Sequence, residues 1–239
     1  MIKKTFPIIF ILLSFCGQED SFLGNNQSET LPTENLKTEN LQTTTTAVEV
    51  VQLDTFENIP YYIIKDQSKV GYLAPKQFLN SGLETVEGTT NEIVGKFTLT
   101  LSECDQADSC LYITDLAIKV NISSLKSNNS IRDRAIKNQW LESTLFPDAV
   151  FTIEELVIPN KDFDSKVEDT IIGKLTIRDI ELSTPFSITA FLDSGLIFIS
   201  GFTEIDTTWF GFAAPTKFNA WEVLNPIGIK VDLVAGQTD

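Results

Sequence analysis

The chain has 239 residues, 18 basic and 33 acidic, with a formal net charge of −15 at pH 7. That balance argues against nucleic acid or an acidic membrane surface as a partner. Histidine is absent, which excludes Ser-His-Asp and Cys-His nucleophilic sites and histidine-held metals. Only carboxylate or lysine chemistry would remain for an enzyme. No paired-carboxylate pattern marks a site for it, so the expected role is not enzymatic.

The N-terminus carries Lys3 and Lys4, then an apolar run from Phe6 to Phe15 that Pro7 interrupts early. The run is too short to cross a bilayer core, which needs about 20 residues. It reads as a signal peptide over residues 1–15. Leu13-Ser14-Phe15-Cys16 resembles a lipobox, with Cys16 as the acylated residue of a bacterial lipoprotein. Phe15 departs from that pattern, which usually has a small residue before the cysteine. The same segment also admits an ordinary secreted protein cleaved elsewhere, or an uncleaved anchor. The expected location is the cell envelope, on a membrane through the N-terminal lipid, with secretion as the alternative.

Residues 16–57 read as a tether. Thr, Glu, Asn, Gln and Ser dominate, and Glu34-Asn35-Leu36-Lys37-Thr38 is nearly repeated as Glu39-Asn40-Leu41-Gln42-Thr43. Such a segment buries too little apolar surface to offset its ordering entropy.

From residue 58 to 239 the pattern has period 2. Phe97, Leu99 and Leu101 alternate with polar residues, as do Leu116, Ile118 and Val120, then Phe151 and Ile153, Leu175 and Ile177, and Ile227 to Leu233. Phe186, Ile188, Ala190 and Leu192 make a run of four. This is the signature of antiparallel strands with one apolar and one wet face. Asn80-Ser81-Gly82 and Asp193-Ser194-Gly195 place glycine where a hairpin needs positive φ. Cys104 and Cys110 flank a polar hairpin loop. A disulfide there suits an oxidising compartment and would contribute only about 2–2.5 kcal/mol in the chain-entropy model; two reduced thiols are the other reading. Two loop cysteines cannot make a structural zinc site, and no metal is expected.

One stretch has helical period instead. Ile131, Ala135, Ile136, Trp140 and Leu141 recur at helical spacing over Ser130–Leu145, with Ser130 as the expected cap and Phe146-Pro147 as the stop. One helix among about eight strands implies an all-β fold: a closed antiparallel barrel with the helix packed near one end. Its inward faces are rich in Phe, Ile and Leu. Periodicity alone leaves two readings, a core filled by its own side chains and an apolar lumen that holds a lipid.

Several of these pieces together resemble the YceI-like domain family. They are Ser68-Lys69-Val70-Gly71-Tyr72, Val94-Gly95-Lys96-Phe97, Arg132-Asp133, Trp140-Leu141 and Phe146-Pro147-Asp148-Ala149-Val150-Phe151. Gly173-Lys174-Leu175-Thr176-Ile177-Arg178-Asp179-Ile180 with Thr184-Pro185, and Trp209-Phe210-Gly211, complete the set. Asp179 stands where the family usually has Gly, so a differently built turn is expected there. Arg134-Ala135 stands where a His is common.

The resemblance covers roughly residues 61–235. It implies a lipocalin-like barrel that binds a polyisoprenoid or another long amphiphile, with no cofactor beyond such a lipid. A barrel that serves as an interaction or stress-protection module without ligand is the alternative. The expected lining is Phe97, Leu99, Ile118, Val120, Trp140, Phe151, Ile153, Leu175, Ile177, Phe186, Ile188 and Phe198. Arg132 and Asp133 lie about 100° apart on the helix and face differently. Arg132 reads either as one half of a structural ion pair or as the contact for a polar ligand head at the barrel mouth.

Overall fold

The computed structural model describes residues 58–160, 166–217 and 220–237. The signal peptide, Cys16 and the tether expected over 1–57 lie outside the described residues. In chain order the strands are β1 (Ile59–Ile63), β2 (Lys69–Phe78), β3 (Gly82–Thr90), β4 (Ile93–Cys104), β5 (Ala107–Asn121) and β6 (Asp148–Asn160). They continue as β7 (Val167–Ile177), β8 (Ile180–Asp193), β9 (Leu196–Ile205), β10 (Thr216–Lys217), β11 (Trp221–Val223) and β12 (Ile227–Gly236).

All described pairings are antiparallel, and eight strands close on themselves in the order β1-β4-β5-β6-β7-β8-β9-β12, with β12 returning to β1. This is the closed barrel the period-2 pattern predicts. Closure removes the exposed edges that an open sheet of this size would carry. A short 3₁₀ turn at Lys65–Gln67 breaks the wall between β1 and β2. β12 therefore pairs with β1 at Ala235 and Gly236, and with β2 along Gly228–Asp232. β3 folds back on β2, and the β10–β11 hairpin pairs with β2 at Lys76–Phe78. The sequence reading did not anticipate that flap.

The hairpins follow turn chemistry. Gly82 has φ 85°, and Ser194 and Gly195 have φ 51° and 81°, the two positive values of a type I′ turn. Arg178 and Asp179 form the same turn, at φ 53° and 62°, with Ile177 paired to Ile180. Asp179 thus sits in a turn of the same type as that at Ser194 and Gly195. What holds two non-glycine residues there is the anchorage of Arg178. Its guanidinium is bonded to the Glu142 carboxylate and donates to the Gly211 carbonyl at 3.2 Å. It also lies 5.6 Å from the Phe212 ring centroid and 5.9 Å from that of Phe146. One side chain thereby ties the β7–β8 turn to the end of the helical segment and to the turn after β9.

The helix differs from expectation in its cap and its length. Asn129, not Ser130, is the N-cap; its side chain accepts from the amides of Ile131 and Arg132, each at 3.0 Å. Its short carbonyl arm reaches both free amides from an extended backbone, one residue earlier than expected. Asp133 accepts from the Ser127 amide at 3.0 and 3.1 Å. The α-helix α1 (Ser130–Ala135) then widens into a π-turn over Ile136–Trp140. Glu142 ends it at φ 47°. Cys104 and Cys110 form the disulfide, with Cα atoms 5.7 Å apart, across the β4–β5 hairpin.

Two glycines are required by close approach. The ring of Tyr72 lies over Gly88, and the ring of Phe151 lies over Gly173, so that a methyl at either glycine would collide with the ring. The Gly173 contact lets Phe151 pack edge-to-face on Phe186, with centroids 4.9 Å apart.

Candidate ligand-binding cavity

The inward faces of the strands enclose a cavity of about 580 Å³, within the range of ligand pockets, about 300–1,000 Å³. Alternation sets the lining. β7 contributes Ile171, Leu175 and Ile177; β8 contributes Phe186, Ile188 and Ala190; β12 contributes Ile227, Ile229, Val231 and Leu233. Val167 and Ile177 both line it and are ten residues apart on β7, about 33 Å along the strand. The space is therefore elongated, and it runs with the wall.

Ten of the twelve expected lining residues are on it: Phe97, Leu99, Ile118, Val120, Trp140, Phe151, Leu175, Ile177, Phe186 and Ile188. Ile153 points inward but packs into the core with Phe97 and Leu116 and does not line the space. Phe198 is a correction. It lies on the outer face, stacked on Phe191 with centroids 5.1 Å apart, while its neighbours Ile197 and Ile199 line the cavity. The run Leu196–Ile199 is apolar at both parities, so alternation gives no phase. The two-residue turn, which pairs Asp193 with Leu196, sets it.

Leu111, Ile113, Leu156 and Ile158 also line the cavity and were not anticipated. β5 changes phase at Asp115 (φ 54°), and β6 changes phase opposite it at Glu154–Glu155. Two consecutive exposed glutamates are the sequence signal for that break. Along β2 the inward residues are Val70, Tyr72, Ala74 and Lys76. Gly71, Leu73 and Pro75 between them are not polar, which hides the alternation.

The lining is apolar except at a few groups. Lys76, Arg132, Lys217, Asn129, Tyr72 and Thr207 are its polar members; among the described residues no Asp or Glu lines it. Thr207 Oγ1 is buried without a hydrogen-bond partner among the described residues, and Tyr72 Oη is buried beside Ser127 and Arg132. Burial pushes the Tyr72 hydroxyl pKa up, against the opposing pull of the Arg132 charge. Burial also pulls the Lys76 ammonium pKa down, and the nearby Arg132 charge adds to this. The Lys76 ammonium sits 4.2 Å from the Trp221 ring centroid and 4.4 Å from that of Phe78.

Arg132 Nε and Nη2 donate to Ser127 Oγ at 3.0 and 2.9 Å, and Nη2 also bonds Asn128 Oδ1. No ion pair of Arg132 with a carboxylate is found among the described residues. Of its two sequence readings, the structural ion pair is not found among the described residues, and the side chain lies on the cavity wall.

Among the described residues no cluster of three or more metal-ligating side chains occurs, and no helix is long and apolar enough to cross a membrane.

A closed antiparallel barrel with one helix and an elongated apolar lumen is a lipocalin-like architecture. The YceI-like domain model matches residues 61–235, and the chain belongs to that family. Among solved structures, BcnA of Burkholderia cenocepacia is similar in fold, with a TM-score of 0.50 at 16% identity over 72% of this chain and 98% of that one. A polyisoprenoid binding domain from Saccharophagus degradans aligns with a TM-score of 0.49 at 8% identity, covering 75% and 99%. The Campylobacter jejuni YCEI protein aligns with a TM-score of 0.41 at 14% identity, covering 85% and 100%. No curated protein matches the chain in sequence.

Proposed function

We propose that this protein is a membrane-tethered lipid-binding barrel, which holds a polyisoprenoid or similar long amphiphile in its lumen as a carrier or sequestering protein. The observation that carries this reading is the elongated cavity of about 580 Å³ with an almost wholly aliphatic and aromatic wall. Each CH₂ moved from water into such a wall contributes about 0.8 kcal/mol. A long chain therefore binds without specific polar contacts along its length, and selectivity comes from tunnel length and shape. Membership in the YceI-like family supports the reading.

Extraction of protein purified from its native membrane, followed by mass spectrometry, tests it. About one mole of an apolar lipid per mole is expected. Protein that comes away with no lipid, and takes up none when offered, would support the ligand-free module instead.

The tether is the second part of the proposal. Acylated Cys16 would hold the mature chain on the membrane through lipid alone, since durable anchoring takes two or more acyl chains. Cys16→Ser is expected to move the protein from washed membranes to the soluble fraction. A variant that still pellets would refute the lipid anchor.

A further inference from the structure

We infer that the helical end of the barrel is a docking face for a zwitterionic lipid bilayer, into which Leu79, Ile131, Leu145 and Trp209 insert. The inference rests on the lipid-binding reading above and adds the surface at which the protein meets a membrane.

Three observations carry it. First, the exposed apolar side chains gather at one end. Leu79, Leu83, Ile131, Leu145 and Trp209 are 59–78% exposed, and among the other described large apolar residues only Val94 and Ile172 are as open. The five come from four segments: the β2–β3 hairpin, the first turn of α1, the chain after the π-turn and the turn after β9. β2 reaches this end by running on past Leu73, which pairs with Gly228 near the start of β12. Leu79 then donates its amide to the Ala220 carbonyl at 3.2 Å, beside the flap. Leu145 precedes Phe146 and Trp209 lies two residues before Gly211, so both flank the anchorage of Arg178. Apolar tips on separate loops suit a fluid surface that each enters on its own.

Second, this surface is continuous with the lumen. Ile131 is the most exposed of the five and also lines the cavity, as does the exposed Lys217. An apolar chain that leaves the lumen among these residues enters a docked bilayer without being wetted, which removes the cost of hydrating it.

Third, the charge at this end is mixed. Arg134 and Lys217 are exposed there, as are Asp179, Glu181 and Glu222. The β4–β5 and β8–β9 hairpins at the opposite end present Glu103, Asp105 and Asp193 and no basic residue. Attraction to the bilayer therefore comes from apolar insertion, with the stems of Arg134 and Lys217 in the boundary and their charges in water. The orientation is open to a chain held at Cys16: residues 16–57 reach up to about 140 Å, against about 33 Å for the length of β7.

Sedimentation with phosphatidylcholine vesicles tests the inference. The protein is the mature chain from residue 16 carrying Cys16→Ser, so that no acyl anchor contributes. It is expected to partition onto the vesicles, with less than about a twofold change between about 0.05 and 0.5 M salt. Leu145→Ser/Trp209→Ser should lower the partition coefficient about tenfold or more, while Val94→Ser/Ile172→Ser, equally exposed but on the outer wall, should leave it within about twofold. Circular dichroism checks that each variant is folded.

Equal losses from the two double variants overturn the docking face, as does binding that needs anionic lipid and vanishes in salt. A parent protein that stays in the supernatant also overturns it and leaves the apolar end to a protein partner. Uptake of geranylgeraniol from solution by the same protein keeps the two readings apart. Uptake without vesicle binding overturns the docking face alone. Vesicle binding without uptake supports the docking face and removes the lipid-binding reading, and the loss of both removes both.

Discussion

Ile188→Asp is expected to abolish folding of the barrel, while the neighbouring change Ser187→Asp leaves it within about 0.5 kcal/mol of the parent, the range of ordinary surface substitutions. Adjacent residues of a strand face opposite sides of the sheet. Ile188 lines the lumen among Phe186, Ala190 and the residues of β9, whereas Ser187 is exposed and pairs with Thr170 and Phe202. A carboxylate at 188 would enter a wall that offers it no cation nearby on β7, β8 or β9. It would cost several kcal/mol in desolvation or be forced to stay protonated. At 187 it remains hydrated. Urea unfolding followed by circular dichroism measures both. Equal effects at the two positions would reject the inward assignment of Ile188, and a reversed order would mean that the register of β8 is off by one.

The strand pattern made the barrel legible because a closed sheet with one buried face forces polar and apolar residues to alternate. The ring and ten residues of the lining could be read from it. Three features broke the reading, each for a local reason. Where both parities are apolar, as at Leu196–Ile199, alternation has no phase, and Phe198 was placed inside although the turn geometry puts it outside. Where two strands change phase together, at Asp115 and Glu154–Glu155, a pattern read from one side of the break stops short; Leu111, Ile113, Leu156 and Ile158 were missed for that reason. The flap of β10 and β11 has strands of two and three residues, too short for any period. Yet it supplies Lys217 and Trp221 to the cavity wall.

The site was less legible than the fold for a related reason. A lysine at the end of an apolar stripe looks like any strand terminus until its neighbours are known. Lys76 reaches the cavity wall where β2 runs past the ring and pairs with the flap. Arg178 is similar. In sequence it belongs to a turn with Asp179 where the family usually has Gly. In the fold it joins Glu142, Gly211, Phe146 and Phe212, and that anchorage offsets the unfavourable backbone of its own turn. The strain is local, and the contacts that offset it are distant in sequence.

Ile199→Trp should sharply reduce the amount of lipid the protein holds, with only a small change in the thermal midpoint of the delipidated form; Ile153→Trp should do the reverse. Both residues face inward, but they meet different surroundings. Ile199 borders the open cavity, so an indole there extends into space that would otherwise hold a chain. Ile153 is 7% exposed and packed against the core cluster without bordering the cavity. There the added volume has nowhere to go, and overpacking typically costs about 1–3 kcal/mol. For a domain of this size each kcal/mol lowers the midpoint by about 2–4 °C. The comparison must use delipidated proteins, because a ligand bound only to the folded state would itself raise the midpoint of the parent. The measurement pairs moles of lipid taken up per mole with the midpoint. If Ile199→Trp lowers the midpoint as much as Ile153→Trp and the parent takes up no lipid, the lumen is an ordinary core and the carrier reading fails. If uptake drops while the midpoint holds, the space is one that a ligand fills.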